Sequence, residues 1–378
     1  MFKQVLKQTL YHQFANLKDR WFIYRHRCSE IRKFEDPRRI KIYEAVTLTD
    51  EQKKQIDDLY ETYYGEKIPY TWHKHFTAFT GRFDANYFPE LLFIPEFEYF
   101  MNPNTEYNKA FSDKNVLPMM ASNVGVKMPK TVVSSINGIL EDENHKIINK
   151  NMLKQIISKK ESYTYFAKPS VDSCSGQGCF LLHSDTEADF SKLEKLGSDF
   201  VVQEKLSCSE SVSKLHPDSV NTFRVITYMW RKSVKMCPVI MRIGRNHSFL
   251  DNAHAGGVFI AVENDGTLHQ TAFTEFREKY NEHPETHVVF EGYKIKNFDR
   301  VLTAAVKMHS AIPQIGVVNW DFTIDHEEEP VLIEANINGG SIWLPQMAWG
   351  CGAFGEDTKE ILQWIRGQKS LPVYKRQY

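Results

Sequence analysis

Three oxygen-bearing side chains, Asp321, Glu334 and Asn336, stand at a spacing that can gather a divalent cation. Val317–Ile324 and Pro330–Ala335 read as strands joined by a polar, acidic turn from Asp325 to Glu329. Paired as a hairpin, they bring Asp321 and Glu334 near each other. Residues two apart on a strand share a face, so Glu334 and Asn336 point the same way. Three hard oxygen donors then converge, which suits Mg²⁺ when substrate phosphates supply its remaining ligands. A solvent-facing hairpin with scattered polar residues is the plain alternative.

Further polar signals precede this hairpin. The alternating run YTYFAKP (163–169) ends on Lys168, and Ser175, Gly176 and Gly178 follow among small polar residues before the next apolar run. Such a loop lets backbone N–H groups approach phosphate oxygens, with the lysine adding a point charge. No GK[ST] follows, so this is not a Walker loop, and a small hairpin turn would also fit. The run DFVVQEKL (199–206) ends in Gln203-Glu204-Lys205-Leu206, and Glu210 lies six residues beyond Glu204. A strand that turns into a linker can offer backbone groups to an adenine edge, and a carboxylate beyond it can accept ribose hydroxyls. Surface acids are the alternative there. Arg224 and Arg242 fall within apolar strands, where a cation is costly unless an anion pairs with it. They suggest a phosphate or carboxylate clamp, or structural ion pairs. Asn252 and the pair Gly256-Gly257 mark a loop-to-strand boundary, with His254 between them as a surface or capping residue.

The elements that must position these groups form an α+β pattern of mostly antiparallel strands in two lobes. Strands are expected at 131–133, 163–168, 178–182, 200–204, 223–230, 235–243, 257–262, 317–324 and 331–335. Helices are expected at 49–64, capped by Thr49 with Gln52 and stopped at Gly65, at 109–124 with a break or kink at Pro118, and at 153–159, 298–309 and 356–366. Residues 1–35 read as one or two amphipathic helices, with Phe2, Leu6, Leu10, Phe14 and Leu17 at helical spacing, and 68–105 as a packed but irregular aromatic cap. The 378 residues suffice for two or three domains, and 42% hydrophobic content is that of a globular protein. A net charge of −1 gives no global field for nucleic acid. Residues 1–41, however, carry eleven Lys/Arg against four Asp/Glu, which suits an anionic membrane surface or a solvated helix face. Six cysteines without a CxxC read as free thiols of a reducing cytosol. No secretory signal is recognisable in MFKQVLKQTLYHQF, and no apolar run reaches the ~18 residues of a membrane span.

Taken in order, these signals resemble the ATP-grasp superfamily over roughly Phe111 to Arg366. The closest likeness is to its sugar-transfer-associated group, through Trp72-His73, Pro89-Glu90, Asn221 to Arg224 and Trp320-Asp321. The step from Asp321 to Glu334 is similar to that in D-alanine–D-alanine ligases. The stretch from Arg242 to Gly257 resembles ribosomal-protein glutamate ligases. The resemblance implies an ATP-grasp fold, two α+β lobes gripping ATP, after a helical N-terminal cap. The expected divisions are a cap over 1–105, an entry segment over 106–135, a small lobe over 136–206 and a large lobe over 207–378. Lys114, Lys168 and the loop of Ser175, Gly176 and Gly178 would meet ATP phosphates. Gln203, Glu204, Lys205 and Leu206 would frame the adenine, and Glu210 would hold the ribose. Asp321, Glu334 and Asn336 would bind two Mg²⁺, with Arg224, Arg242 and Asn252 as catalytic groups. Gly256, Gly257, Asn338, Gly339, Gly340 and Ser341 would line the acceptor side, where Trp320 and Trp343 suit either a sugar ring or the core. Asn319 departs from the basic residue that many such ligases carry two places before the metal Asp, so Arg224 or Arg242 would take over that phosphate contact. The implied activity is a carboxylate–amine ligase acting through an acyl phosphate, joining an amino acid or amine to a carboxylate on a sugar (a uronic acid) or a peptide, in surface-polysaccharide or natural-product biosynthesis. A kinase on the same fold and a non-catalytic nucleotide-binding module are the other readings. The implied place is the cytoplasm, with the basic N-terminus against the inner face of the membrane.

Overall fold

The computed structural model describes residues 2–158, 164–171, 177–183 and 187–376. Two antiparallel sheets organise the chain. The first contains β1 (Thr131–Ile136), β2 (Ile139–Asp142), β3 (Ile147–Ile148), β4 (Thr164–Pro169), β5 (Phe180–His183) and β6 (Phe200–Glu204), in the order β3-β2-β1-β6-β4-β5. The second contains β7 (Thr222–Trp230), β8 (Ser233–Met236), β9 (Ile240–Ile243), β10 (Val258–Ala261), β11 (Ala272–Phe273), β12 (Lys279–Tyr280), β13 (Val317–Ile324) and β14 (Pro330–Asn336). Its order is β12-β11-β10-β9-β7-β13-β14, with β8 paired to β7.

Three apolar cores follow from strand alternation. The first sheet buries Val133, Tyr165, Leu182 and Val202 against helices Lys150–Ser158 and Glu187–Glu194. The second sheet is covered on both sides, so β7 carries apolar residues on both of its faces. Phe223 and Val225 face one core with Val318, Trp320, Phe322 and the helix Phe298–Ala311. Ile226, Tyr228 and Trp230 face another, built largely from the N-terminal aromatics Trp72, Phe76, Phe79, Phe93 and Phe97.

Several expectations need correction here. Residues 68–105 are not irregular. Thr71–Thr80 is a helix ended by Gly81 at φ +78°, and Glu90–Met101 is a continuous helical stretch whose middle, Phe93–Glu98, widens into π turns around Pro95. This segment shares a core with the second sheet. Residues 2–33 form one helix. The expected helix at 109–124 divides into Thr105–Ser112 and Leu117–Asn123, so Pro118 falls in a first turn, where a missing N–H costs nothing. The break frees Lys114 to bind β4 through its backbone, donating to the Ser170 carbonyl at 3.0 Å. The strand expected over 235–243 splits into β8 and β9 around Pro238, which cannot donate to a ladder. The capping box of Thr49 and Gln52 forms as expected.

Asn102 fastens the N-terminal segment to the β13–β14 hairpin. Its side-chain oxygen accepts the Gly316 and Val317 N–H groups, and its amide donates to the carbonyls of Val317 and Ile337, all within 3.0 Å.

Candidate functional site

The hairpin's register decides which side chains meet. On β13 the even positions Val318, Trp320, Phe322 and Ile324 enter the core, and the odd positions Asn319, Asp321 and Thr323 face the other way. Simple alternation on β14 would place Glu334 on the core face with Leu332. A bulge at Ile333 prevents this: Phe322 opposes Leu332, but Asp321 opposes Glu334. On its other side Asp321 opposes Arg224 of β7. Thr222, two residues before Arg224, opposes Arg242 of β9 on the same face. Directly opposed side chains in an antiparallel ladder are near neighbours, so Arg224, Asp321 and Glu334 form one row across three strands.

The side chains use that row fully. Arg224 donates to both Asp321 oxygens, at 2.6 and 3.1 Å, and Arg242 lies 3.0 Å from Oδ2. The two arginines therefore pair with a carboxylate of the chain itself, the structural ion pairs that stood as the alternative to a phosphate or carboxylate clamp. Burial favours the protonated acid, but Arg224 and Arg242 outweigh it and hold the Asp321 carboxyl down at about 2. Arg242 also meets Thr222 Oγ1 and the Asn252 side-chain oxygen at 3.2 Å. Both arginines expected to stand in for the basic residue missing at Asn319 are turned toward Asp321. The Asn319 side chain is buried and donates to the Ser341 carbonyl. Glu334 is 28% exposed and lies 3.6 Å from the Lys114 ammonium. Asn336 turns its amide N–H toward Asp321 at 3.4 Å and Glu334 at 3.5 Å. Lys168 is buried beside Lys114. Desolvation and that neighbouring cation lower its ammonium to about 8, against the pull of Glu334.

Lys168, Arg242, Asp321 and Glu334 of this group line a cavity of about 380 Å³ between the two sheets, a size that accepts a nucleotide. Lys114, Arg224 and Asn336 stand behind its lining. Phe166, Leu181, Leu206, Phe249 and Ile333 form apolar walls. Gln203, Glu204, Lys205 and Asn252 also line it. After β6 the chain rejoins the second sheet where His326 donates to the Ser207 carbonyl, so Lys205 and Leu206 cross between the sheets along the cavity wall.

Other expected residues lie elsewhere. Glu210 is exposed in the short helix Glu210–Ser213 and does not line the cavity. Asp218, which the sequence reading missed, does line it and pairs with His247 at 2.9 Å. No spacing signal marks Asp218; only the fold of the loop between Ser213 and β7 brings it there. Gly256 and Gly257 stay outside the cavity. Gly256 has φ +96°, and a Cβ on Gly257 would meet the Asp251 carbonyl at 2.5 Å, so both serve the turn that presents Asn252. His254 pairs with Glu275 at 2.6 Å in a separate polar cavity with Arg39. Gly339 and Gly340 donate their N–H groups to Glu98, at 2.6 and 2.7 Å. Ser341 donates to Glu90 at 2.7 Å, and Asn338 accepts from Asn108. The expected acceptor donors are thus satisfied from within the chain, by two buried glutamates whose carboxyls burial raises to about 8 (Glu98) and about 7 (Glu90). Trp320 and Trp343 are both buried and offer no open ring face. Ser175 and Gly176 lie outside the described residues. Gly178 has φ +74°, and a Cβ added there would meet the Pro169 ring at 3.0 Å, at the end of β4.

The donor set fits Mg²⁺. Two carboxylates and an amide are hard oxygen ligands, and an ionised carboxylate keeps lone pairs beyond those the arginines take. Among the described residues no three of His, Cys, Asp and Glu gather into a metal site, so the set rests on two carboxylates and the Asn336 amide.

A family model described as sugar-transfer associated ATP-grasp matches residues 93–362. Among solved structures, the chain is similar to the VanG D-Ala:D-Ser ligase of Enterococcus faecalis, with 14% identity over 69% of this chain and 62% of that one and a TM-score of 0.41. It is also similar to an N5-carboxyaminoimidazole synthetase of Staphylococcus aureus complexed with ADP, with 13% identity over 61% and 46% of the two chains and a TM-score of 0.38. A D-alanine–D-alanine ligase of Bacillus anthracis gives 15% identity over 70% and 69%, with a TM-score of 0.38. The chain spans less than two thirds of the length of the first two. No curated protein matches the sequence.

Proposed function

Because the chain belongs to the sugar-transfer-associated ATP-grasp family, we propose that it is an ATP- and Mg²⁺-dependent carboxylate–amine ligase working through an acyl phosphate. The observation that carries this reading is that Asp321, Glu334 and Lys168 line an apolar-walled cavity between the sheets, with Lys114 beside Lys168 and 3.6 Å from Glu334.

In this reading the adenine lies between Phe166, Leu181 and Leu206, with the backbone at Glu204–Leu206 along its edge. Asp218 takes the ribose role once expected of Glu210. Lys114 and Lys168 neutralise the phosphates, and Asp321, Glu334 and Asn336 hold Mg²⁺. A flip of the Asn336 amide would present its oxygen. Bound Mg²⁺ would supply charge neutralisation of the transferring phosphoryl group. The γ-phosphoryl bond to ADP breaks as a substrate carboxylate oxygen bonds to phosphorus. The amine then attacks the acyl carbon, loses a proton and expels phosphate. The protein positions and neutralises, and no covalent nucleophile is required. Arg224, Arg242 and Asn252 act as positioning residues that fix Asp321 and the cavity wall.

The acceptors are proposed to be an amino acid or amine and a carboxylate on a sugar or peptide. A screen of amino acids against uronic-acid sugars, read by ADP and phosphate release, tests this. A ligase releases both products only when both acceptors are present. A stable phosphoester would mark a kinase, and no turnover with any pair would favour a binding module.

A further inference from the structure

The N-terminal helix Phe2–Lys33 carries apolar residues on two opposite sides. One side holds it to the body of the protein. Asp19 pairs with Arg376 at 2.6 and 2.7 Å, Asn16 accepts the Val373 N–H, Phe22 stacks on Tyr99, and Arg27 reaches Glu96 at 3.2 Å. The other side has no cover. Leu10, Phe14, Leu17, Trp21, Tyr24 and Ile31 recur every three, four or seven residues and are 44–69% exposed. At 100° per residue they form a single stripe about six turns long. Leu371 and Tyr374 are also exposed beside it, where the Tyr374 ring contacts His12.

Charge identifies the occupant of this stripe. Lys18, Arg25 and Arg32 flank it on one side and Arg20 on the other, all exposed. The only acids between residues 10 and 32, Asp19 and Glu30, are buried. Two copies laid stripe to stripe would oppose cations in either orientation, which disfavours a coiled coil between them. A helix with an apolar face, Trp and Tyr along it and cations at both margins suits an anionic lipid interface. No helix among the described residues is long and apolar enough to cross a membrane. The geometry points to this helix as an interfacial anchor that lies on a bilayer rich in anionic lipid, held parallel to it by the docked side. This inference does not rest on the catalytic reading.

Flotation of the full chain with phosphatidylcholine vesicles, with and without phosphatidylglycerol, tests it. The wild type should float only with phosphatidylglycerol, lose binding at high salt, and show a blue shift of tryptophan emission that Trp21→Ser removes. Lys18→Gln, Arg20→Gln and Arg25→Gln combined should weaken partition about 100-fold, at about fivefold per cation. Phe14→Ser with Trp21→Ser should abolish it while leaving the melting temperature unchanged, since both side chains are exposed. Failure of the wild type to float, or equal flotation with both vesicle types, would overturn the proposal. So would light scattering that shows a dimer which Phe14→Ser with Trp21→Ser divides, since the stripe would then be a seam between copies.

Discussion

Glu334→Gln and Asp321→Asn remove one charge each from the same row, yet the structure assigns them different consequences. Asp321 is fully buried and holds two arginines by three contacts of 2.6–3.1 Å. Removing its charge takes away the bidentate partner of Arg224 and one of two carboxylates beside Arg242, which keeps Asp251 at 3.6 Å, at a cost of ~3 kcal/mol in unfolding free energy. Glu334 is 28% exposed and its nearest cation is Lys114 at 3.6 Å. Its charge should matter to stability by no more than ~1 kcal/mol. Both should lose at least ~100-fold in ATP-dependent turnover, the scale for one preorganised electrostatic group. Urea unfolding followed by fluorescence measures the first quantity, and ADP formation with the acceptor pair found by screening measures the second. A Glu334→Gln protein that is nearly as stable as wild type but inactive is the expected result. Near-full turnover in that variant would refute the metal assignment. Unfolding as severe as that of Asp321→Asn would refute the account of the ion pairs.

Other expectations concern titration and the cavity wall. Lys168 titrates at about 8 in the folded protein instead of 10.5, so between those values the unfolded chain holds a proton the folded one has released, and this group's contribution to stability rises with pH. ATP phosphates favour its charged form, so calorimetry near pH ~8.5 in buffers of different ionisation enthalpy should show proton uptake on ATP binding, absent in Lys168→Met. Glu98 is raised from 4.5 to about 8, so the folded state keeps a proton the unfolded state loses, and its contribution to stability falls as pH rises through that window. Glu98→Gln should therefore gain stability relative to wild type between about pH 5 and about pH 8, read by urea unfolding. Asp218→Asn should weaken binding of a fluorescent ATP analogue about tenfold, whereas Glu210→Gln should leave it unchanged.

The chemistry of the hairpin was legible because β13 alternates apolar and polar residues and its polar set is Asn319, Asp321 and Thr323. The bulge at Ile333 was not, since nothing in Pro330–Asn336 announces a shift of phase. The pairing of Arg224 with Asp321 was hidden for a related reason: two strands almost a hundred residues apart had to be placed in register before the cation and its partner could be matched. Lys114 could be read as a site residue through the family resemblance, and Pro118 announced a break or kink in its helix, but not that the break would fall at 113–116 and set Lys114 against the end of β4. The fate of Gly339 and Gly340 lay furthest from the sequence. Their partner Glu98 sits in an aromatic segment that reads as irregular, because its order comes from packing against the second sheet and not from local periodicity.

The central claim is that the cavity between the sheets holds ATP with its phosphates toward Lys114, Lys168 and a Mg²⁺ bound by Asp321 and Glu334. Calorimetric titration of the wild-type chain with ATP, in Mg²⁺ and again in EDTA, tests it most directly. One site per chain, markedly tighter in Mg²⁺, is the predicted result. Absence of ATP uptake by folded protein, or an affinity indifferent to Mg²⁺, would contradict it.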